Sequence, residues 1–415
     1  MIISEKIEHA VRVQSNKNGA RSFYLYDTTS MRNKITYLKS VMPQEVDVFY
    51  AMKANPHPAF LSAAQEAGVI GIEIASLGEG ESALKAGFEA NRLIFTGPGK
   101  SPEELCWSVE NSIRTIHIES LTEVYRLNEI CKKSHKVQDI LVRVNANFDI
   151  HGAQATFSGG SRKLGIDEEK LSEYMPIILG LDFIRFRGLH VYAASGVLKV
   201  EDLLMNCKLV FHLARNIEET FNGAACDIID FGGGFGVDYL ESREDFSPDR
   251  YADGLRHLIT EYGFHDRRFV LELGRYLAAD SGWYCTEILD IKESRGIKQV
   301  VTAGGTNHFR RPAALSINHP VVIIPMKQSP LFSSQENVYK EKVYIGGPLC
   351  NSADKLANDI FIDEAHVGDI AVFCLAGAYG LSMSHMEFLS HARPDEIVIF
   401  PEKDGVEYAY PHLCG

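Results

Sequence analysis

Val46-Asp47-Val48-Phe49-Tyr50-Ala51-Met52-Lys53-Ala54-Asn55 opens the part of the chain that decides the fold. The run Val46 to Ala51 is mostly β-branched and aromatic, it ends at a lysine and a polar pair, and Pro58 to Ala67 follows with helical spacing of its apolar residues. The same unit recurs. Further short apolar runs lie at Gly71 to Ala75, Leu93 to Thr96, Thr115 to Glu119, Ile140 to Asn145, Phe186 to Tyr192, Ile228 to Phe231 and Phe269 to Glu272. Helix-like stretches between them include Gly78 to Ala86, Ser120 to Lys132, Val200 to Glu219 and Asp249 to Tyr262. Eight strand-then-helix units predict a closed parallel (β/α)8 barrel.

Polar and glycine-rich residues cluster just after these runs: Lys53-Ala54-Asn55, Ser76-Leu77-Gly78, Gly97-Pro98-Gly99, Asn145, Ser195-Gly196, Gly232-Gly233-Gly234 and Gly274-Arg275. In a barrel such loops share one face, so residues far apart in sequence converge there. After Arg275 the pattern changes to strand-like segments without regular helices: Gly282 to Ile291, Gln299 to Thr302, Pro320 to Pro325, Lys342 to Ile345 and Ile370 to Cys374. This predicts an α/β barrel over residues 28–275 and a mostly β domain built from residues 1–27 and 276–415. The early run Ser22 to Tyr26 is expected to pair with the latter.

The 415 residues suit two domains, and 45% hydrophobic with 23% charged residues is globular composition. A net charge of -13, with Lys and Arg scattered, argues against a nucleic-acid partner. Charges at Glu5, Lys6 and Glu8 fall where a secretion signal would need an apolar core. No stretch approaches the roughly 18 apolar residues of a membrane span. A cytoplasmic protein without membrane contact is the expectation. The eight cysteines, Cys106, Cys131, Cys207, Cys226, Cys285, Cys350, Cys374 and Cys414, are widely spaced without a CxxC pair, which suits reduced thiols and gives no metal signature.

Four segments could carry chemistry. Lys53 emerges from a buried strand, and desolvation would favour the neutral amine that imine formation needs. A strand-end lysine alone is more often a solvated terminus. Asp230-Phe231-Gly232-Gly233-Gly234-Phe235-Gly236 lets backbone N–H groups approach an anion without Cβ obstruction, although a glycine turn can serve topology alone. It lacks the spacing of a nucleotide P-loop and does not open the first βα unit. Glu272-Leu273-Gly274-Arg275 offers a carboxylate that can keep a ring nitrogen protonated and an arginine for phosphate, or else a structural ion pair. Gly347-Pro348-Leu349-Cys350-Asn351-Ser352-Ala353-Asp354 and Ala376-Gly377-Ala378-Tyr379-Gly380 place a thiol, a carboxylate and a phenol in glycine turns outside the barrel.

Taken together, YAMKAN, GGGFG, ELGR, GPLCNSAD and GAYG resemble, in this order, the fold type III pyridoxal 5′-phosphate (PLP) decarboxylases of diaminopimelate, ornithine and arginine, from about Phe23 to Phe388. The resemblance implies an alanine-racemase-type barrel plus a β domain, an amino-acid substrate, and a homodimer with shared active sites. It implies that Lys53 holds PLP covalently and that Glu272 meets the pyridine nitrogen. Gly233, Gly234, Phe235, Gly236, Gly274, Arg275, Tyr276 and Tyr379 would surround the cofactor, chiefly its phosphate, with Ser195 as a further phosphate ligand. Glu73 and Arg143 match positions near the cofactor. Cys350 would donate a proton in the neighbouring subunit's site, joined there by Asp354.

Two departures from the family pattern bear on the substrate. In His190-Val191-Tyr192-Ala193-Ala194-Ser195-Gly196, alignment on Ser195-Gly196 puts Tyr192 where the family stacks a histidine on the cofactor ring, with His190 two residues earlier on the same strand face. Asn351 stands where diamine-directed relatives carry an acid, and a neutral amide gives a distal ammonium no compensating charge. His308, Arg310 and Arg311, with Arg162 and Lys163, are candidates for distal substrate atoms. Gly304 to Pro312 and Gly377 to His385 resemble the branch that makes carboxylate siderophores of the staphyloferrin B and vibrioferrin type. That branch decarboxylates a citryl-diaminopropionate intermediate. A diaminopimelate decarboxylase, a carrier-protein glutamyl decarboxylase and a catalytically silent regulatory homologue are the alternatives.

Overall fold

The structure, a computed structural model, describes residues 3–17, 21–147, 155–156, 160–192, 194–240, 245–326, 336–400 and 407–409; Cys414 lies outside them. The seven other cysteines are free thiols. Two compact units emerge, Arg32–Val237 with Glu244–Leu277, and Met1–Met31 with Asp238–Arg243 and Ala278–Gly415.

In the first unit eight parallel strands form a ring: Val46–Ala51, Gly71–Ile74, Leu93–Phe95, Thr115–Ile118, Gln138–Asn145, Ile184–His190, Ile228–Asp230 and Arg268–Leu273. Each pairs with the next in chain order, and the eighth pairs with the first, Phe269 opposite Val46 and Leu273 opposite Tyr50. Strands buried on both faces read as nearly unbroken apolar runs, which is why the sequence pattern is so plain here. Phe49, Ile94, Leu141, Ile228 and Val270 pack together. The anticipated helices Pro58–Ala67, Leu77–Lys85, Leu121–Lys133, Val200–Thr220 and Pro248–Tyr262 are present. Pro102–Asn111 and Leu171–Leu179 are additional. The former begins with a reciprocal Ser101–Glu104 capping box and Pro102 in its first turn, a start signal legible without any periodicity.

The sixth strand begins and ends two residues earlier than the apolar run suggests. Ile140 faces Phe186 but Leu141 faces Gly188, so Arg187 is an inserted bulge residue. Gly188 has φ of 143°, and a Cβ there would sit 1.9 Å from the Ile228 carbonyl oxygen. Only glycine satisfies both conditions.

In the second unit Ser22–Tyr26, buried throughout, is the central strand, antiparallel to Gly282–Ser294 and parallel to Asp395–Ile399. The sheet continues from Gly282–Ser294 through Ile297–Thr302 and Val338–Gly346 to Lys355–Ala365. Ile370–Phe373 also pairs with Gly282–Ser294 and carries Val321–Ile324 on its other side. Helix Glu5–Ser15 is capped by Ser4, whose Oγ accepts from the Ile7 N–H. It buries Ile7, Ala10 and Val11 against Phe23, Leu25, Cys285 and Val372, which explains the mixed charged and apolar start of the chain. Among the described residues no helix is long and apolar enough to cross a membrane.

Gly188→Ala should destabilise the barrel by about 2–3 kcal/mol, combining left-handed strain with a backbone clash. Urea unfolding at neutral pH measures it; an unchanged midpoint contradicts the bulge assignment.

Candidate active site

Lys53 lies in the short turn Met52–Ala54 after the first strand, and its Nζ is 2.5 and 2.6 Å from the two carboxylate oxygens of Glu73 on the second. Glu73 is fully buried, whereas the lysine side chain is 38% exposed. Thr96 Oγ1 donates to the same carboxylate. The expected desolvation is therefore corrected: the Lys53 side chain is partly exposed and ion-paired with Glu73.

The glycine run is fixed by backbone bonds. Gly232 N–H donates to Asp230 Oδ1 at 2.7 Å, and Glu272 N–H to Gly232 O at 2.8 Å. A Cβ on Gly233 would fall 2.4 Å from the Glu272 carbonyl oxygen, so the run lies directly on the eighth strand. Gly236 N–H is committed to Val197 O at 2.8 Å, which corrects its expected place among the phosphate donors. The Phe235 ring is likewise committed to the core, against Phe246, Tyr251 and Tyr276. Arg275 Nη2 reaches Ser195 Oγ at 3.4 Å, bringing two anticipated phosphate ligands together. Gly274 packs on Ala51 and Ala54, and the Tyr192 ring rests against Gly232.

Beneath these lies a buried quartet, His117, His190, Asp230 and Glu272, whose ligand atoms fall within 4.8 Å of one another. His117 Nδ1 and His190 Nδ1 are 3.0 Å apart and share a hydrogen bond. Glu272 Oε1 has no hydrogen-bond partner among the described residues, nor do Asp230 Oδ2, His117 Nε2 and His190 Nε2. Burial raises the Asp230 pKa to about 7, against the Gly232 N–H bond, and raises Glu272 well above the carboxylate range with Asp230's charge adding to the effect. Burial holds both histidines well below the imidazole value, helped by Lys100 for His117 and by His117 for His190. His117, from the Thr-Ile-His-Ile run of the fourth strand, escaped the sequence reading because one histidine in an apolar run carries no motif. Arg143 Nη1 bonds Glu119 Oε1 at 2.8 Å, and Glu119 Oε2 accepts from Gly165 N–H.

In the second unit Cys350 is exposed and Asn351 Oδ1 accepts from Ala353 N–H at 2.9 Å. Tyr379 is half-buried in a left-handed conformation, φ 55°. Three anticipated substrate ligands are otherwise occupied. Asp354 is buried and accepts from Thr306 N–H, Thr306 Oγ1 and Leu349 N–H. His308 contacts the Ala392 carbonyl and Tyr284 hydroxyl, and burial lowers its pKa to about 4. Arg311 is fully buried, 3.9 Å above the Tyr239 ring and bonded to His319. Arg310, Arg162 and Lys163 are exposed.

The family model for the pyridoxal binding domain of the pyridoxal-dependent decarboxylases matches residues 28–279. A 2-[(L-alanin-3-ylcarbamoyl)methyl]-2-hydroxybutanedioate decarboxylase of Staphylococcus aureus is 34% identical over 92% of this chain and 94% of its own length. An L-glutamyl-[BtrI acyl-carrier protein] decarboxylase of Niallia circulans is 32% identical over 91% and 88%. Diaminopimelate decarboxylase from Helicobacter pylori complexed with L-lysine superposes with a TM-score of 0.84 at 25% identity, covering 96% of this chain and 95% of the other. The barrel residues fit a pyridoxal phosphate. Glu272 Oε1 is a buried acceptor without a hydrogen-bond partner among the described residues, and the Gly233 backbone leaves no room for a side chain. Arg275 and Ser195 stand together, and Lys53 supplies the amine.

Asp230 binds its proton more tightly folded than unfolded, so an electrostatic penalty is absent below about pH 3.8, grows as pH rises and levels off above about pH 7. The urea midpoint of the cofactor-free Asp230→Asn protein should therefore gain on wild type between about pH 4 and 7. A difference that stays constant with pH contradicts the buried-acid reading.

Proposed function

The chain belongs to the pyridoxal-dependent decarboxylases, and on that footing we propose that it acts, as a homodimer, on an amino acid carrying a citryl-type amide, a citryl-diaminopropionate-like intermediate of siderophore assembly. Bound pyridoxal phosphate supplies the electron sink for the pair released as CO2 leaves. Lys53 would hold the cofactor through its amine, with Glu73 in contact with Nζ to position it. Glu272 would meet the ring nitrogen. Arg275, Ser195 and the glycine run would hold the phosphate, and Tyr192 would cover the ring. The partner subunit's Cys350 returns a proton to Cα.

Asn351 carries the substrate assignment. Its carbonyl oxygen is already engaged by Ala353, so the side chain offers N–H donors. Donors suit carboxylate or carbonyl oxygens and leave a distal ammonium unmatched. Exposed Arg310 adds a cation on the same unit, and arginine pairs strongly and directionally with carboxylate. The Staphylococcus aureus relative, named for a substrate that bears a hydroxybutanedioate, supports the same choice.

Product analysis by mass spectrometry with citryl-diaminopropionate, diaminopimelate, ornithine and a glutamyl carrier protein should show turnover of the first in large excess. A wide preference for a diamino acid contradicts the assignment from Asn351. Arg310→Ala should lower kcat/KM for the citryl substrate by roughly tenfold to a hundredfold, the size of one charge-assisted hydrogen bond, while cofactor absorbance is unchanged. Mixing inactive Lys53→Ala and Cys350→Ala subunits should restore activity, because one site of each mixed dimer regains both groups. No recovery after confirmed subunit exchange counts against shared sites.

A further inference from the structure

We propose that His117 is a positioning residue: paired with His190, it links Asp230 to Glu272 so that Glu272 can be ionised while Asp230 holds the proton, with an acceptor for every buried hydrogen of the chain. The inference rests on the reading of Glu272 as the partner of the cofactor's ring nitrogen.

The geometry closes a loop. Asp230 Oδ2 is 3.8 Å from His117 Nε2, His117 Nδ1 is 3.0 Å from His190 Nδ1, and His190 Nε2 is 3.8 Å from Glu272 Oε2. The loop closes because the Asp230 and Glu272 carboxyl groups lie within 4.8 Å of each other. In the central bond one Nδ1 must donate and the other accept. Two neutral histidines therefore hold opposite tautomers, and only two arrangements satisfy the chain.

In the first arrangement the Asp230 hydroxyl faces the lone pair of His117 Nε2, His117 Nδ1–H donates to His190, and His190 Nε2–H points at the Glu272 carboxylate. In the second each hydrogen has moved one link along: Asp230 is ionised against His117 Nε2–H, His190 Nδ1–H donates to His117, and protonated Glu272 faces a bare His190 Nε2. Three hydrogens shift, and the net result is one proton carried from Asp230 to Glu272. A cationic ring nitrogen beside Glu272 selects the first. The two 3.8 Å gaps exceed hydrogen-bond length, so the proposal requires both to shorten when the cofactor is bound. Burial keeps both imidazoles neutral, as the scheme requires. The charged groups acting on the loop are Lys53, Glu73, Lys100 and Arg143.

The test measures the dissociation constant of PLP from holoenzyme and the pH dependence of its bound absorbance, with thermal melts as the folding control. His117→Phe keeps a ring of similar size but breaks the chain. It should weaken PLP by roughly tenfold or more, the scale of one charge-assisted hydrogen bond, and shift the absorbance transition. Asp230→Asn, whose amide donates to His117 as the protonated acid does, should hold PLP within about threefold of wild type, whereas Asp230→Leu should match His117→Phe. Equal losses for Asp230→Asn and Asp230→Leu, or an undisturbed His117→Phe with a normal melt, overturn the proposal. So does one equivalent of divalent metal per chain on elemental analysis, lost in His117→Phe. Glu272→Gln separates the two readings: if it leaves PLP affinity and absorbance untouched, the assignment of Glu272 fails, whatever His117 does.

Discussion

Pairing of the eighth strand with the first is the constraint on which the rest depends. Leu273 opposite Tyr50 and Glu272 opposite Phe49 close the barrel, and in doing so bring Lys53 to the same rim as a carboxylate more than 200 positions later in the chain. Gly274 against Ala51 and Ala54 shows how tight that junction is. A one-residue slip would turn Glu272 out of the interior and replace it with Leu273, because successive strand residues face opposite ways.

Closure also sets the electrostatics. Removing two carboxyl groups from water is expensive, and burial shifts both Asp230 and Glu272 toward their protonated forms, with two neutral imidazoles beside them. Such a cluster, with a buried Glu272 oxygen that has no hydrogen-bond partner among the described residues, is poor design for stability alone. It is the form expected of a site that waits for a cation, which a protonated pyridine ring supplies. Lys53 and Glu73 sit differently, ion-paired at a rim that solvent reaches.

Much of this was legible in the chain. Doubly buried strands wrote themselves as short apolar runs, and the residues after them named the rim. Ser22–Tyr26 was readable as a strand of the other unit, where it is central. Lys355–Ala365 and Asp395–Ile399 were not read as strands. The former is half exposed, rich in Asp and Glu, and at the end of its sheet, so it lacks an apolar run. Side-chain direction was the other blind spot. Arg311 and Arg310 are adjacent and equally basic, yet one is buried over Tyr239 and the other is exposed. His117 was invisible because its meaning comes from His190 and Asp230 on neighbouring strands.

The central claim is that Lys53 is the amine at the heart of the barrel site. Borohydride reduction of the PLP-loaded protein followed by peptide mapping tests it most directly. The account predicts one pyridoxyl group per chain on the peptide containing Tyr50-Ala51-Met52-Lys53, and none in Lys53→Ala. A reduced adduct on any other lysine, at the same stoichiometry and surviving Lys53→Ala, would contradict it.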